Sequence, residues 1–294
     1  MSKRIHVVIN PAAGQPEPIL HILNNVFRPA DVQWDISITH ELGDATRQAR
    51  QAAEDGADIV VAYGGDGTVM EVANGLVGTE VALGVVPGGT GNVLSIELEI
   101  PQASEEAAQL LVSPHKVRKV DVGRSGDRSF LLRAYVGFDA QRIQLTTREM
   151  RDRYGKMAYL IAALKAIPES EAIRFNLTLD DEEVECEGFT CIVQNAGNMG
   201  LRGLTLAPGV SIDDGLLDVI VIHGLDPLSL ASALGSIVDT PLDPDRFHHW
   251  QARDLTIATD SPHAVIGDGE SWGETPVTMK ALPGAVRVIA PSRT

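Results

Sequence analysis

The sequence predicts an α/β half followed by a β-rich half that is mainly antiparallel. Strand-like apolar runs alternate with helix-like segments through roughly the first 120 residues, an order that means a parallel sheet covered by helices. Three of those runs end in turns of glycine and small polar residues, at 10–14, 64–68 and 87–92, where such sheets collect their ligands. After about residue 120 strands follow one another through turns, with two further helices among them.

Taken in order, Ile5 to Ile9 is a short apolar strand running into Asn10-Pro11-Ala12-Ala13-Gly14. Ile19 to Phe27 has helical spacing, and Val32 to Thr39 alternates, with Trp34, Ile36 and Ile38 on one face. Asp44 is placed to cap a helix, Ala45 to Asp55, which Gly56 stops. Ile59 to Tyr63 and Val81 to Val86 read as buried strands, Val69 to Leu76 and Ser104 to Leu111 as helices. Val117 to Gly123 and Ser129 to Phe138 read as strands, and Asp139 to Ile167 as a long helix. Further strands are expected at 173–179, 184–196, 217–222, 254–259, 262–267 and 275–282, with one helix from Pro227 to Val238. Asp180-Asp181-Glu182-Glu183 reads as a solvated hairpin tip.

A chain of 294 residues is expected to form two domains. Hydrophobic residues make up 44% and charged residues 22%, the balance of a soluble globular protein. Cys186 and Cys191 are too few for a disulfide framework and lack zinc spacing, so both are expected as small buried strand residues. The start enters a strand with no apolar signal region, and no run approaches the roughly 18 apolar residues of a membrane span. A cytoplasmic protein, soluble or peripheral at the inner membrane face, is the expectation.

The net charge of −16 argues against general nucleic-acid binding. Yet eleven of the 24 basic residues lie between Lys116 and Lys156 beside five acidic ones, so that stretch carries about +6 and the remainder about −22. Such a face either pairs locally in solvent or meets phosphates or anionic lipid.

The turn Gly64-Gly65-Asp66-Gly67-Thr68 concentrates the chemistry. Glycine lets a ligand approach the backbone, and the helix that follows aims unpaired N–H groups at the turn, an end that favours anions. A carboxylate inside an anion nest makes sense if a cation accompanies the anion, so Asp66 reads as facing a Mg²⁺–nucleotide. The plainer reading is a tight βα turn with Asp66 as helix N-cap.

That pentad, followed by Glu71-Val72-Ala73-Asn74-Gly75-Leu76, resembles the diacylglycerol kinase catalytic-domain family, and within it the bacterial soluble lipid kinases, which are related to sphingosine kinases. Asn10-Pro11-Ala12-Ala13-Gly14 is similar to the family's N-terminal loop and Pro87-Gly88-Gly89-Thr90-Gly91-Asn92 to its second nucleotide loop. Asp213-Asp214-Gly215-Leu216-Leu217-Asp218 and Asp268-Gly269-Glu270 match two later motifs in order. The pentad alone is shared with NAD kinases and phosphofructokinases; five motifs in order are a strong signal.

The resemblance implies a three-layer α/β nucleotide-binding domain like that of NAD kinases and phosphofructokinases over residues 1–121, joined by the tail 290–294. It implies a mainly antiparallel β-sandwich lipid-substrate domain over 122–289, with the site in the cleft between the two. The implied activity is transfer of the γ-phosphoryl of ATP to a lipid hydroxyl, with ATP and Mg²⁺ required and a place in phospholipid biosynthesis. By position, Asn10, Thr39, Gly64, Gly65, Asp66, Gly67, Thr68, Gly89, Thr90 and Asn92 would hold ATP. Asp66 would orient the catalytic Mg²⁺ and Glu270 would be the general base. Asp214, with the main-chain oxygens of Ser211 and Leu216, would form a structural Mg²⁺ site, and Asp121 aligns with an acidic position of the same network. Asp139 is a further acid that equally serves to start the long helix.

Plainer readings stand beside these. Glu270 follows a good turn dipeptide, Asp268-Gly269, and Asp213-Asp214-Gly215 can simply turn the chain. One departure matters: many relatives carry Asp directly after the Asn of the second loop, where this chain has Val93. An NAD kinase or other small-molecule kinase is one alternative, and a catalytically silent nucleotide-binding regulatory module another. The expected partner is a lipid at a membrane surface, met through the basic face 116–156. Open strand edges of the second domain also allow a homodimer, and the destination of the last strand, Val286 to Ile289, stays open.

Overall fold

The computed structural model describes residues 2–12, 17–137, 172–199, 205–224 and 246–292. The helices expected at 139–167 and 227–238, the candidate Asp139, and the basic residues of the expected face from Arg142 to Lys156 lie outside them. The chain forms two compact units, one of Met1–Val120 with Pro283–Thr294 and the other of Asp121–Leu282.

The first unit is a parallel sheet of β1 (Arg4–Ile9), β2 (Gln33–Ile38), β3 (Ile59–Gly64) and β4 (Ala82–Pro87), in the order β2-β1-β3-β4. All six residues of β3 and all six of β4 are buried, which is why both read as unbroken apolar runs. Helices α1 (Ile19–Phe27), α2 (Asp44–Glu54), α3 (Asp66–Leu76), α4 (Val93–Glu97) and α5 (Ser104–Val112) complete the layers, α2 packing with α3 and α1 with α5. The strand order reverses at β1. Right-handed crossovers therefore send α1 and α3 to opposite faces and open a crevice at the carboxyl ends of β1 and β3. The last strand, β16 (Val277–Ala290), lays Arg287 and Val288 parallel to Ala82 and Leu83 of β4.

Two local expectations change. Asp44 does not cap α2: Gly43 is the N-cap, and Asp44 Oδ2 instead accepts the N–H groups of His40 (2.8 Å) and Glu41 (3.2 Å). The end of α2 is served from α3, where Glu71 Oε2 accepts from Gly43 N (2.9 Å) and Ala45 N (3.1 Å). In β2, Trp34 packs edge-on to Phe27 at 5.7 Å, but Ile36 and Ile38 stay 40% and 44% exposed, because β2 ends the sheet.

The second unit is antiparallel; β5 (Lys116–Ser125) leads into it and pairs with β6 (Arg128–Phe130) through Gly123 and Phe130. One sheet runs β12 (Phe247–Ala252), β11 (Leu217–Ile222), β10 (Thr190–Gln194), β7 (Arg133–Val136), β14 (Ala264–Gly267) and β15 (Glu270–Glu274). The other pairs β9 (Glu182–Gly188), β8 (Ile173–Leu179), β13 (Asp254–Thr259) and the first residues of β16. Strict alternation along β8, buried at every odd residue from Ile173 to Leu179, turns one face inward. The expected strand 184–196 is two strands, because the chain changes sheets at Gly188-Phe189; a Cβ on Gly188 would run into Val221 of the facing sheet. Strands β12 and β15 were not expected. β12 is an edge strand whose His248, His249 and Trp250 break apolar alternation, and β15 is only half-buried at best. Asp180 does more than tip a hairpin: its Oδ1 accepts from Arg253 N (3.0 Å) and Asp254 N (2.9 Å), tying β13 in place. Both cysteines are free; Cys191 is buried and Cys186 half-buried.

Candidate functional site

In the first unit three loops meet where the strand order reverses. Asn10 leaves β1 with its N–H on Tyr63 O (3.0 Å) and its Nδ2 donating to Thr68 Oγ1 (2.9 Å), which bridges the β1 and β3 ends. Asn10 Oδ1 accepts from Ala12 N (3.0 Å) and shapes the first loop. Thr39 joins from β2 through its N–H on Ile9 O (2.9 Å). The two glycine turns lie against each other: Gly88 N donates to Gly64 O at 2.8 Å, and a Cβ on Gly89 would collide with Gly65 Cα. Glycine at 89 permits that approach, and glycine at 64 leaves room for the Thr68 side chain.

Asp66 is the first residue of α3, and Gly65 is its N-cap, so the plain N-cap reading fails. Its Oδ1 reaches instead to the second loop and accepts from Val93 N at 2.6 Å, while Gly91 lies so close to Oδ2 that a Cβ there would clash. Asn92 sits at φ 51 and accepts from Gly89 N at 3.0 Å, closing the turn that carries exposed Thr90. Val93, directly after the Asn of the second loop, supplies a backbone donor that the short helix α4 leaves without an intrahelical partner. A pocket of ≈ 440 Å³ opens beside this junction, lined by Asn10, Thr39, His40, Leu42, Thr68 and Glu71 among others. That volume is in the range of small-ligand sites. His40 and Leu42 were not singled out from sequence, and Glu71 was noted only as part of the motif that follows the pentad. Nothing in their spacing marks them as one pocket, since they are brought together by the β2–α2 loop and α3.

In the second unit, carboxylates fasten loops. Asp121 is buried; its Oδ2 accepts from Gly215 N (2.6 Å) and its N–H donates to Ile212 O (2.8 Å). It thereby folds the 211–216 loop, whose Asp214 Oδ1 accepts from Leu216 N at 3.0 Å. Ser211 Oγ bonds Asp213 Oδ1 at 2.9 Å. Burial pushes the Asp214 carboxyl up from its ordinary value, and the charges of Asp218 and Asp121 push the same way. Carboxylate and main-chain oxygens are the donor types that suit Mg²⁺ or Ca²⁺, and a cation beside Asp214 would relieve the repulsion from Asp218 and Asp121. Among the described residues no cluster of three or more His, Cys, Asp or Glu forms a metal cage, so any ion would lean on backbone oxygens and water.

Glu270 opens β15 and is exposed. The turn before it is tight, Asp268 at φ 45 and Gly269 at φ 92, the double left-handed pattern of a two-residue hairpin. Glu270 therefore stands at a hairpin tip with its side chain exposed. Residues of the expected basic face behave differently from one another. Lys116 and Lys119 are exposed, but Arg133 is 7% exposed and donates Nη2 to Asn198 O at 2.5 Å. Among the described residues no helix is long and apolar enough to cross a membrane.

Comparison with known proteins identifies both halves of the chain. Residues 4–125 match the diacylglycerol kinase catalytic domain, and residues 133–290 match the YegS C-terminal NAD kinase beta sandwich-like domain. An uncharacterized Synechocystis protein is 30% identical over 315 residues, covering 99% of this chain and 71% of that one. A diacylglycerol kinase of Staphylococcus saprophyticus is 27% identical over 300 residues, covering 99% and 97%. A crystal structure of a diacylglycerol kinase from Bacillus anthracis superposes with a TM-score of 0.81 at 28% identity, covering 98% of this chain and 97% of the other. The chain belongs to the diacylglycerol kinase catalytic-domain family, in the form that carries a YegS-type C-terminal β-sandwich.

Proposed function

We propose that this protein is an ATP- and Mg²⁺-dependent lipid kinase that moves the γ-phosphoryl of ATP onto a lipid hydroxyl. The observation that carries the reading is the junction of three loops at the reversal of strand order, with Asp66 fastened across it to Val93. Family membership adds the reaction class, and the relatives named diacylglycerol kinase add the type of acceptor.

Phosphoryl transfer asks the protein mainly for positioning and charge neutralisation. Asn10, Thr39, Gly64, Gly65, Gly67, Thr68, Gly89, Thr90 and Asn92 take the nucleotide. Backbone N–H groups at the start of α3 face its phosphates. Asp66 would orient a divalent ion, and Asp214 with the Ser211 and Leu216 main-chain oxygens would hold a structural one. Mg²⁺, when bound, supplies neutralisation of the phosphate charge. Glu270 accepts the proton of the attacking hydroxyl. A basic surface including Lys116 and Lys119 meets anionic lipid and keeps the enzyme at its substrate.

The test is a panel of diacylglycerol, monoacylglycerol, sphingoid bases, ceramide and NAD incubated with radiolabelled ATP and Mg²⁺. Label transferred to a lipid is the expected result. Label on NAD alone would move the chain to the small-molecule kinases, and no transfer with intact ATP binding would make it a silent nucleotide-binding module.

A further inference from the structure

We infer that Asp268 is a positioning residue for Glu270: its carboxylate fastens the β14–β15 turn to consecutive backbone N–H groups and so sets where the base stands. Oδ2 accepts from Leu131 N at 2.7 Å, Oδ1 from Arg133 N at 2.9 Å, and both oxygens from Leu132 N at 3.2 Å. The fastening is reciprocal, since Asp268 N donates to Arg133 O at 2.9 Å. Three donors in a row converging on one carboxylate leave the residue little freedom, and Glu270 follows only two positions later through a turn with no slack.

The other side of Glu270 is held as well. Arg128 Nη1 donates to Ser271 O at 2.6 Å, and the Trp272 ring lies 5.9 Å from Phe130 and over Gly267, where a Cβ would collide with the indole. The backbone is therefore pinned before and after Glu270, whereas the Glu270 carboxylate makes no hydrogen bond or ion pair among the described residues. A fixed Cα with an unengaged carboxylate is what a general base needs.

A hairpin alone does not require this. Asp-Gly and Asn-Gly form the same two-residue turn unaided, so an acid whose charge is held in partly buried surroundings has a purpose beyond turning the chain. The arrangement even opposes itself electrostatically: burial pushes the Asp268 carboxyl up to about 6, against the three N–H donors and the Arg133 charge.

This inference rests on the reading of Glu270 as base, and the experiment separates the two. Asp268→Asn, Glu270→Gln and the double variant are assayed with ATP and the lipid that accepts label in the panel, and backbone amide exchange is followed at 131–133 and 269–272. We expect Asp268→Asn to lower kcat about 30- to 100-fold with KM for ATP unchanged, the cost of a misplaced base. The double variant should be no slower than Glu270→Gln, and exchange at Leu131 to Arg133 should quicken. An equal further loss on the Glu270→Gln background, a change confined to KM, or unaltered exchange overturns the positioning role. Glu270→Gln with unchanged kcat overturns the base instead. Asp268→Ser, which keeps one acceptor, serves as the second variant if Asp268→Asn fails to fold.

Discussion

The two units use the same residue types in opposite ways. In the first, the loops at the strand-order reversal meet through backbone: glycines let two of them touch, and Asp66 accepts an N–H of the second loop there, while Asp44 and Glu71 gather backbone N–H groups only around the start of α2. In the second, the working surface is side chain: Asp121, Asp180 and Asp268 each gather backbone N–H groups of a neighbouring segment. The reason lies in the sheets. A parallel sheet ends in helix N-termini that already present donors to an anion, so its loops need only be small. An antiparallel sheet ends in turns with no such field, and carboxylates must hold those turns still.

The comparison breaks first if the second unit's free carboxylate does no chemistry. Glu270→Gln should lower kcat by roughly 10²- to 10⁴-fold while nucleotide binding, read by calorimetry, stays as it was. Next comes Asp66→Asn, which keeps an oxygen for Val93 N but removes the charge. A loss of about 10²-fold in kcat with an unchanged melting temperature is expected, and a loss of fold instead would show that the charge serves structure. Gly89→Ala tests whether close backbone approach matters: its methyl meets Gly65, so nucleotide affinity should drop about tenfold and stability by about 1–3 kcal/mol, measured by titration and by denaturant melts.

The smallest effect expected is in stability against pH. The Asp268 pKa is raised from 3.8 to about 6 by burial. Between those values the folded state binds the proton more readily than the unfolded one. This group's contribution to stability is therefore full below about pH 4 and lost as pH rises through about 6. Urea midpoints from pH 4 to 7 should show that slope in the parent protein and lack it in Asp268→Asn. Identical slopes in both would assign it to another group.

Much of the first unit was legible. Ile19 to Phe27 reads as a helix and is one, and buried β3 and β4 announce themselves as apolar runs because both faces are covered. The loop junction of Asn10, Asp66 and the glycines could be picked out because close backbone approach demands glycine and small polar residues in short spans. The capping of α2 was misread, because Glu71 reaches it from another helix and propensity knows only neighbours in sequence. The run 184–196 hid a change of sheet, since a strand that switches partners keeps the same local pattern. Asp268 looked like half of a turn dipeptide, and its three donors come from residues more than 130 positions away.

By itself the sequence determined the order of elements, the two kinds of sheet and the residue types of each loop, because periodicity, glycine and turn chemistry act over a few residues. Only the tertiary structure decided which carboxylates are spent on backbone and which stay free. That follows from long-range register: Asp66 meets Val93, Asp121 meets Gly215 and Asp268 meets Leu131 to Arg133, while Glu270 meets no described group. It also decided that the final strand places Arg287 and Val288 beside β4, a pairing between residues about 200 positions apart that no local signal encodes.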